Sequence, residues 1–324
     1  MSTVRRLHGL DAMRGIAALC VFAFHLHGIY PDSPNLWGKG YLAVDFFMML
    51  SGYVMARTYE ARMQGGLGTG QFVLIRYRRL WLTMAVGSLI GVGYLWRVTG
   101  DPAWFALGCA LNLALLPAPV NNELTPLNSP GWSIFYELVA NAIHGAFLWR
   151  LSNRALVAVI AVLLVPLAVF ASMAGDLDFG SLTAHAGPAV VRSLASYSIG
   201  VLLWRLWQDE PPVAVPPALA MLTLPALMTT PLLVFGWIFD LGFIVLACPL
   251  LIAGGLGLRS APRWAVWSGM LSFPLYAVHM STFRASYMAG LGLLPAILLA
   301  VTAAVVLTWW LSARERRAKA KPKT

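Results

Sequence analysis

Four ionisable residues interrupt otherwise apolar segments of this sequence: His25, Asp45, Glu137 and His279. Imidazole and carboxylate groups are the side chains that move protons most readily near neutral pH, and a carboxylate can orient an imidazole. Ionisable side chains in apolar helices almost always face the interior of a bundle and indicate a functional site. We therefore expect a proton-transfer centre with His25 as the base and Asp45 as its partner, or with Glu137 as the competing base.

A second group of chemically active residues is basic. Arg14 precedes His25 in one apolar segment, and their spacing places both on one face of a helix, roughly 16–17 Å apart along its axis. The segment FVLIRYRRLWL carries Arg76 and Arg79, and Arg57 ends the apolar segment before it. Because guanidinium groups bind phosphates in bidentate fashion, these arginines predict an anion site at one mouth of the bundle.

The elements that position these groups are predicted to be membrane helices. The chain is 59% hydrophobic and 11% charged, with a mean hydropathy of +0.72, whereas soluble domains carry roughly 25% charged residues. This composition predicts an all-α polytopic integral membrane protein. We expect about ten transmembrane helices, at 10–30, 40–58, 73–96, 131–150, 155–173, 188–206, 213–230, 233–256, 265–285 and 290–312.

The distribution of Lys and Arg predicts the orientation of these helices. Most of the 23 basic residues lie at helix ends and in loops that share one side. The other side holds Lys39, Arg97, Arg192 and Arg284. The positive-inside rule then places both termini in the cytoplasm. The net charge of +10 therefore reflects membrane topology, and we expect no nucleic-acid partner.

One apolar segment, 103–118, is too short for the roughly 20 residues that a crossing needs. We expect it to be re-entrant or interfacial at the outer face, since counting it as a span would move the basic C-terminus outside. We divide the chain into a transmembrane domain, 1–312, and a basic cytoplasmic tail, 313–324, and expect no appended soluble domain.

Counting residues from the predicted outer helix ends places the four ionisable groups in one layer, roughly 8–9 Å below the outer boundary. Ser133 shares a polar helix face with Glu137, and Tyr276 shares one with His279. These stripes favour a passage that leads from the cytoplasmic mouth to the layer.

Five segments resemble the motifs of the membrane-bound acyltransferase-3 family, in the order that is typical of it. They are LDAMRG…FHL with Arg14 and His25, GYLAVDFFMMLSGYVMAR with Asp45, RYRR with Arg76 and Arg79, PGWSIFYE with Trp132, Ser133 and Glu137, and SFPLYAVH with Ser272, Tyr276 and His279. The resemblance extends from residue 10 to residue 279 and concerns the membrane domain only.

The resemblance implies an O-acyltransferase of the inner membrane. Such a protein moves an acyl group, acetyl by default, from acyl-CoA on the cytoplasmic side to a sugar hydroxyl of a surface glycan or a glycosylated small molecule. Acyl-CoA would be its co-substrate, and carbohydrate and membrane lipid its partners; no metal is expected. The implied catalytic residues are His25, Asp45 and Glu137, the acyl-donor residues are Arg14, Arg57, Arg76 and Arg79, and the acceptor or oxyanion contacts are Trp132, Ser133, Tyr276 and His279.

Two other functions compete with this interpretation. A proton-coupled transporter or a lipid or glycan flippase would also use charges within the membrane, although the two halves of the sequence show no convincing repeat. A membrane scaffold would leave the shared layer unexplained. The residues alone leave open the acceptor, the acyl chain length, the carboxylate that pairs with His25 and the oligomeric state.

Overall fold

The computed structural model describes residues 6–258, 260 and 262–320, and within these ranges the chain is helical and contains no β-strand. The α-helices are α1 (His8–Ile29), α2 (Ala43–Gln64), α3 (Thr69–Ile90), α4 (Val92–Thr99), α5 (Pro102–Leu113), α6 (Gly131–Ala146), α7 (Asn153–Ala174), α8 (Ala186–Trp207), α9 (Pro217–Ala226), α10 (Gly236–Gly242), α11 (Cys248–Gly257), α12 (Arg263–Met288) and α13 (Leu293–Ala320). The all-helical class that the sequence predicts is therefore confirmed.

Fewer helices are long and apolar enough to cross a membrane than the sequence predicts. In the described residues, five segments have the required length and composition: α1, α7, α8, α13 and the segment Thr230–Gly257, which includes α10 and α11. The pair α3 and α4, bent by 57°, would be a sixth. The count of about ten spans is not supported, and neither is the orientation of the termini. Length is one reason, since α6 has 16 residues and α9 has 10.

Proline explains why the predicted helix at 213–230 is short. Pro216 and Pro217 stand at the start of α9, where the missing N–H groups cost nothing. Pro225 lies in its last turn, and a proline ring disrupts the helical ladder around it. The predicted helix at 233–256 is likewise interrupted, by a π-helical turn (Phe243–Ala247) between α10 and α11.

The segment predicted not to cross the membrane contains α5, which has 12 residues. The carboxylate of Asp101 caps this helix by accepting hydrogen bonds from the backbone N–H groups of Ala103 and Trp104, at 2.8 and 2.9 Å. Because 12 residues extend about 18 Å as a helix, the length of α5 agrees with a non-spanning element. Its placement at the outer face stays a prediction.

The backbones of α2 and α8 approach each other so closely that two contact positions have room only for glycine. A Cβ atom on Gly52 would lie 2.0 Å from the carbonyl oxygen of Tyr197, and one on Gly200 would lie 1.9 Å from that of Met49. Small residues at such positions let two helix backbones approach each other. This contact determines which side chains of α2 face α8.

The remaining helices that concern the site form a connected group: α1 packs along α12, α12 packs against α3, and α3 packs against α6. At the C-terminus, α13 continues through the predicted domain boundary at residue 312 and ends at Ala320. The first part of the predicted tail is thus helical, while 321–324 lie outside the described residues.

Candidate functional site

Two of the four ionisable residues meet between α1 and α12. Nδ1 of His25 lies 2.8 Å from Nε2 of His279, and the rings stack with their centroids 5.0 Å apart. His279 is buried and His25 is half-buried. The sequence placed these residues at one depth, and the packing of α1 on α12 brings their rings together.

Aromatic rings surround His279 on its other sides. The ring centroids of Phe22, Tyr276 and Phe283 lie 6.1, 5.9 and 5.8 Å from that of His279. Its second nitrogen, Nδ1, is 3.0 Å from the carbonyl oxygen of Leu275, one turn earlier in α12. Both nitrogens of His279 therefore have hydrogen-bond partners.

A cavity of about 160 Å³ lies between α1, α2, α3, α6 and α12. One water molecule needs roughly 10–15 Å³ by the same measure, so the cavity has room for a larger group. Its polar lining residues are Arg14, Ser51, Arg76, Arg79, Ser133, Glu137, Ser272 and Tyr276. Neither imidazole is among the residues that line it. Tyr276 both lines the cavity and packs against His279.

Two of the polar lining residues, Tyr276 and Ser133, form a hydroxyl pair. The Tyr276 hydroxyl and Ser133 Oγ are 2.6 Å apart, and Ser133 also donates to the carbonyl oxygen of Pro130 at 3.0 Å. Phe47 packs edge-on against Tyr276 with the centroids 6.0 Å apart. Two hydroxyl groups of the lining are thus held together, and the ring of one of them, Tyr276, also packs against His279.

Glu137 lies in the cavity beside Arg76, not beside the histidines. Nη2 of Arg76 donates to Oε1 of Glu137 at 3.0 Å, and Ser51 Oγ donates to the same oxygen at 2.7 Å. Arg76 is only 5% exposed, yet its Nε and Nη1 groups have no hydrogen-bond partner in the described part of the chain. Buried donors are rarely left unpaired, so Arg76 is suited to bind a ligand group.

The other two guanidinium groups of the cavity are more accessible. Arg79 is exposed, and the Arg14 side chain is 29% exposed. Arg14 lies 3.4 Å from Asp11, which also accepts from Arg6 at 2.6 Å. With three guanidinium groups and one lining carboxylate, the cavity favours an anionic ligand.

Asp45 does not meet His25, contrary to expectation. Its carboxylate binds Arg192 of α8, which donates from Nε to both oxygens at 3.0 Å and from Nη2 at 2.5 Å. Ser196 donates to the same carboxylate at 3.0 Å. The close packing of α2 on α8 turns Asp45 away from α1, and a buried guanidinium needs a carboxylate partner. The pair joins α2 to α8.

Arg57, expected to hold the acyl donor, also lies outside the cavity lining. It pairs with Asp209 beyond the end of α8, where Nη2 is 2.7 Å from a carboxylate oxygen. The Tyr53 hydroxyl donates to the same carboxylate at 2.8 Å. Because Asp209 is distant in the chain, no local pattern around Arg57 indicates this pairing.

Trp132 likewise does not line the cavity. It is buried beneath the loop between α7 and α8, where a Cβ on Gly180 would lie 2.3 Å from its ring. Its ring packs edge-on against Tyr136. This position indicates a role in packing rather than in contacting an acceptor.

Sequence reasoning missed two buried cations that it assigned to the outer surface. Arg192 binds Asp45, and Lys39 Nζ lies 2.5 Å from Asp240, with neither side chain of that second pair exposed. The sequence does indicate that Arg192 is buried, because this residue lies within the predicted helix 188–206. A charge inside an apolar helix requires a partner of opposite charge at the same depth.

Comparisons with known proteins identify the family of this chain. The acyltransferase-3 family model, which describes an acyltransferase domain, matches residues 7–313. Protein 2 in the picA locus of Rhizobium radiobacter is 32% identical over 182 residues, which are 50% of this chain and 93% of that protein. A Komagataeibacter xylinus protein described as a putative membrane-bound transacylase, BcsY, is 35% identical over 114 residues, 34% of this chain and 27% of that protein.

No solved structure matches the chain significantly. The family match covers nearly the whole chain, and its span includes the histidine pair, the hydroxyl pair and the arginines of the cavity. The chain belongs to the membrane-bound acyltransferase-3 family.

Proposed function

We propose that this chain transfers an acyl group, acetyl in the first instance, from acyl-CoA to a sugar hydroxyl of a cell-surface glycan or a glycosylated small molecule. Family membership supports a transferase that acts on acyl groups. The observation that carries the proposal is the contact between His25 and His279, joined through Tyr276 to a cavity that three guanidinium groups line. A base and an anion site are the two parts that this reaction needs.

The cavity supports binding of the donor with its phosphates at the arginine end. Arg79 and Arg14 are accessible, whereas Arg76 is buried deeper beside Glu137. Phosphates would remain at the accessible arginines, and the thioester arm would extend past Arg76 along apolar walls that include Phe47 and Leu80. The acyl carbon would then reach the hydroxyl pair of Tyr276 and Ser133.

The chemistry follows from these positions. His25 takes the proton of the acceptor hydroxyl, the hydroxyl oxygen bonds to the thioester carbonyl carbon, and the carbon–sulfur bond then breaks. The sulfur leaves as the thiolate of CoA and takes up the proton that His25 removed from the acceptor, which returns His25 to its neutral form. Tyr276 or Ser133 would stabilise the oxyanion that forms at the carbonyl by turning its one hydroxyl hydrogen from its present acceptor toward that oxygen. Glu137 would hold Arg76 in place.

We propose that the donor side faces the cytoplasm of a multi-pass protein in the inner membrane. Of the four basic residues predicted on the outer side, three lie in ion pairs in the structure. These pairs are Lys39 with Asp240, Arg192 with Asp45, and Arg284 with Glu123. These pairs leave the count of Lys and Arg unchanged, and the excess of Lys and Arg at the opposite helix ends and loops supports the proposed orientation.

The test is transfer of radiolabelled acetyl from acetyl-CoA to an envelope extract by the purified protein in proteoliposomes. His25→Ala should lower the rate by about 10²–10⁴-fold, because a positioned base contributes that much. His185→Ala is the matched control, since His185 packs on Phe179 in a loop away from the cavity. Wild-type transfer by His25→Ala, or proton-coupled uptake without CoA, would argue against an acyltransferase site here.

A further inference from the structure

The hydrogen bonds of His279 determine which of its nitrogens carries a proton. The Leu275 carbonyl can only accept, so Nδ1–H of His279 must donate to it, across 3.0 Å. His279 is 1% exposed and enclosed by aromatic rings. A buried charge without a counter-charge costs several kcal/mol or more, so this imidazole is neutral. Its Nε2 is therefore an acceptor.

The proton of His25 follows from that assignment. Nδ1 of His25 lies 2.8 Å from the acceptor Nε2 of His279, so Nδ1–H of His25 donates. A neutral imidazole with its proton on Nδ1 has its lone pair on Nε2. No described residue forms a hydrogen bond to Nε2 of His25, and the side chain is half-buried rather than enclosed. That nitrogen is free to accept a proton.

We infer that His279 is a positioning residue that fixes the tautomer and orientation of His25 and so makes Nε2 of His25 the base. The inference rests on the proposed function and deepens it. His279 takes the place of the carboxylate partner expected for His25, because Asp45 binds Arg192. This role differs from the expected one for His279, which was contact with the acceptor or the oxyanion. Both ring nitrogens of His279 already have hydrogen-bond partners.

A neutral partner has a physical advantage at this position. A carboxylate against His25 would need further donors to offset its desolvation, and such a buried pair is often no more stable than apolar packing. The surroundings of His279 offer the aromatic rings of Phe22 and Phe283 instead. An imidazole anchored to a backbone carbonyl supplies the acceptor without adding a charge.

The inference is tested with His279→Gln and His279→Leu. The amide oxygen of Gln reaches about as far as Nε2 and can accept from Nδ1–H of His25, whereas Leu fills similar volume without an acceptor. We expect His279→Leu to lower kcat by about 10²-fold or more with KM for acetyl-CoA within about twofold, and His279→Gln to retain at least about a tenth of kcat. Equal losses in the two variants, or a change in KM rather than kcat, would overturn the inference.

A matched control and a second readout keep this test independent of folding and of the acceptor. Thr282→Val removes another side-chain hydrogen bond to the α12 backbone and should leave kcat unchanged. Diethyl pyrocarbonate acylates an unprotonated, unbonded imidazole nitrogen, so in the wild-type protein it should modify His25 and spare His279. Equal modification of both would contradict the tautomer assignment. If the wild-type protein transfers no acetyl while this modification pattern holds, the proposed function fails and the assignment of the protons stands.

Discussion

The hydroxyl of Tyr276 lies 2.6 Å from Ser133 Oγ, and Tyr276 both lines the cavity and packs against His279. Because this hydroxyl belongs to a lining residue next to His279 and is proposed as an oxyanion donor, Tyr276→Phe should lower kcat by about 10²-fold. Initial rates of acetyl transfer measure the effect. Tyr287→Phe, which changes an exposed tyrosine of the same helix, is the control, and an unchanged kcat in Tyr276→Phe would remove this residue from the mechanism.

Arg79 and Arg57 should differ in their effect on acetyl-CoA binding, although the sequence analysis expects both to contact the acyl donor. Arg79 lines the cavity, so Arg79→Ala should raise KM for acetyl-CoA about tenfold, equivalent to about 1.4 kcal/mol. Arg57 is paired with Asp209, so Arg57→Ala should leave this KM unchanged. Steady-state kinetics in proteoliposomes distinguish the two, and an equal rise in both variants would place Arg57 back at the donor site.

The buried pair of Asp45 and Arg192 should matter for stability rather than for catalysis. Asp45→Asn leaves an uncompensated buried guanidinium, which typically costs about 3–5 kcal/mol. Thermal unfolding in detergent should show this loss, and the double variant Asp45→Leu with Arg192→Met should recover much of it. A stable Asp45→Asn protein that has lost acyl transfer would instead assign Asp45 to the chemistry.

The contact between α2 and α8 provides a test of the packing itself. Gly200→Ala would place a Cβ 1.9 Å from the Met49 carbonyl oxygen, which the helices can accommodate only by moving apart. We expect destabilisation of about 1–3 kcal/mol. Gly187→Ala is the control on the same helix, because a Cβ there meets nothing within 4 Å. Equal thermal stability of the two variants would be incompatible with so close an approach of the two helices.

The sequence predicted the helical class, the family and the depth shared by His25 and His279, because each depends on composition or on spacing along one chain. It did not predict the partner of Asp45. That partner depends on the rotation of α2 about its axis, which its glycine contact with α8 determines. The position of Glu137 beside Arg76 also depends on how two helices pack, in this case α3 on α6. The predicted count of about ten spans is not supported, in part because Pro216, Pro217 and Pro225 shorten one apolar segment.

The assignment of Nε2 of His25 as the base, acting on a donor bound in the arginine-lined cavity, underlies the whole proposed mechanism. It is tested by the single-turnover rate of acetyl transfer from radiolabelled acetyl-CoA in the wild-type protein and in His25→Gln, alongside acetyl-CoA affinity. We expect the rate to fall by about 10²–10⁴-fold and the affinity to stay within about twofold. A His25→Gln protein that transfers acetyl at the wild-type rate would refute the assignment.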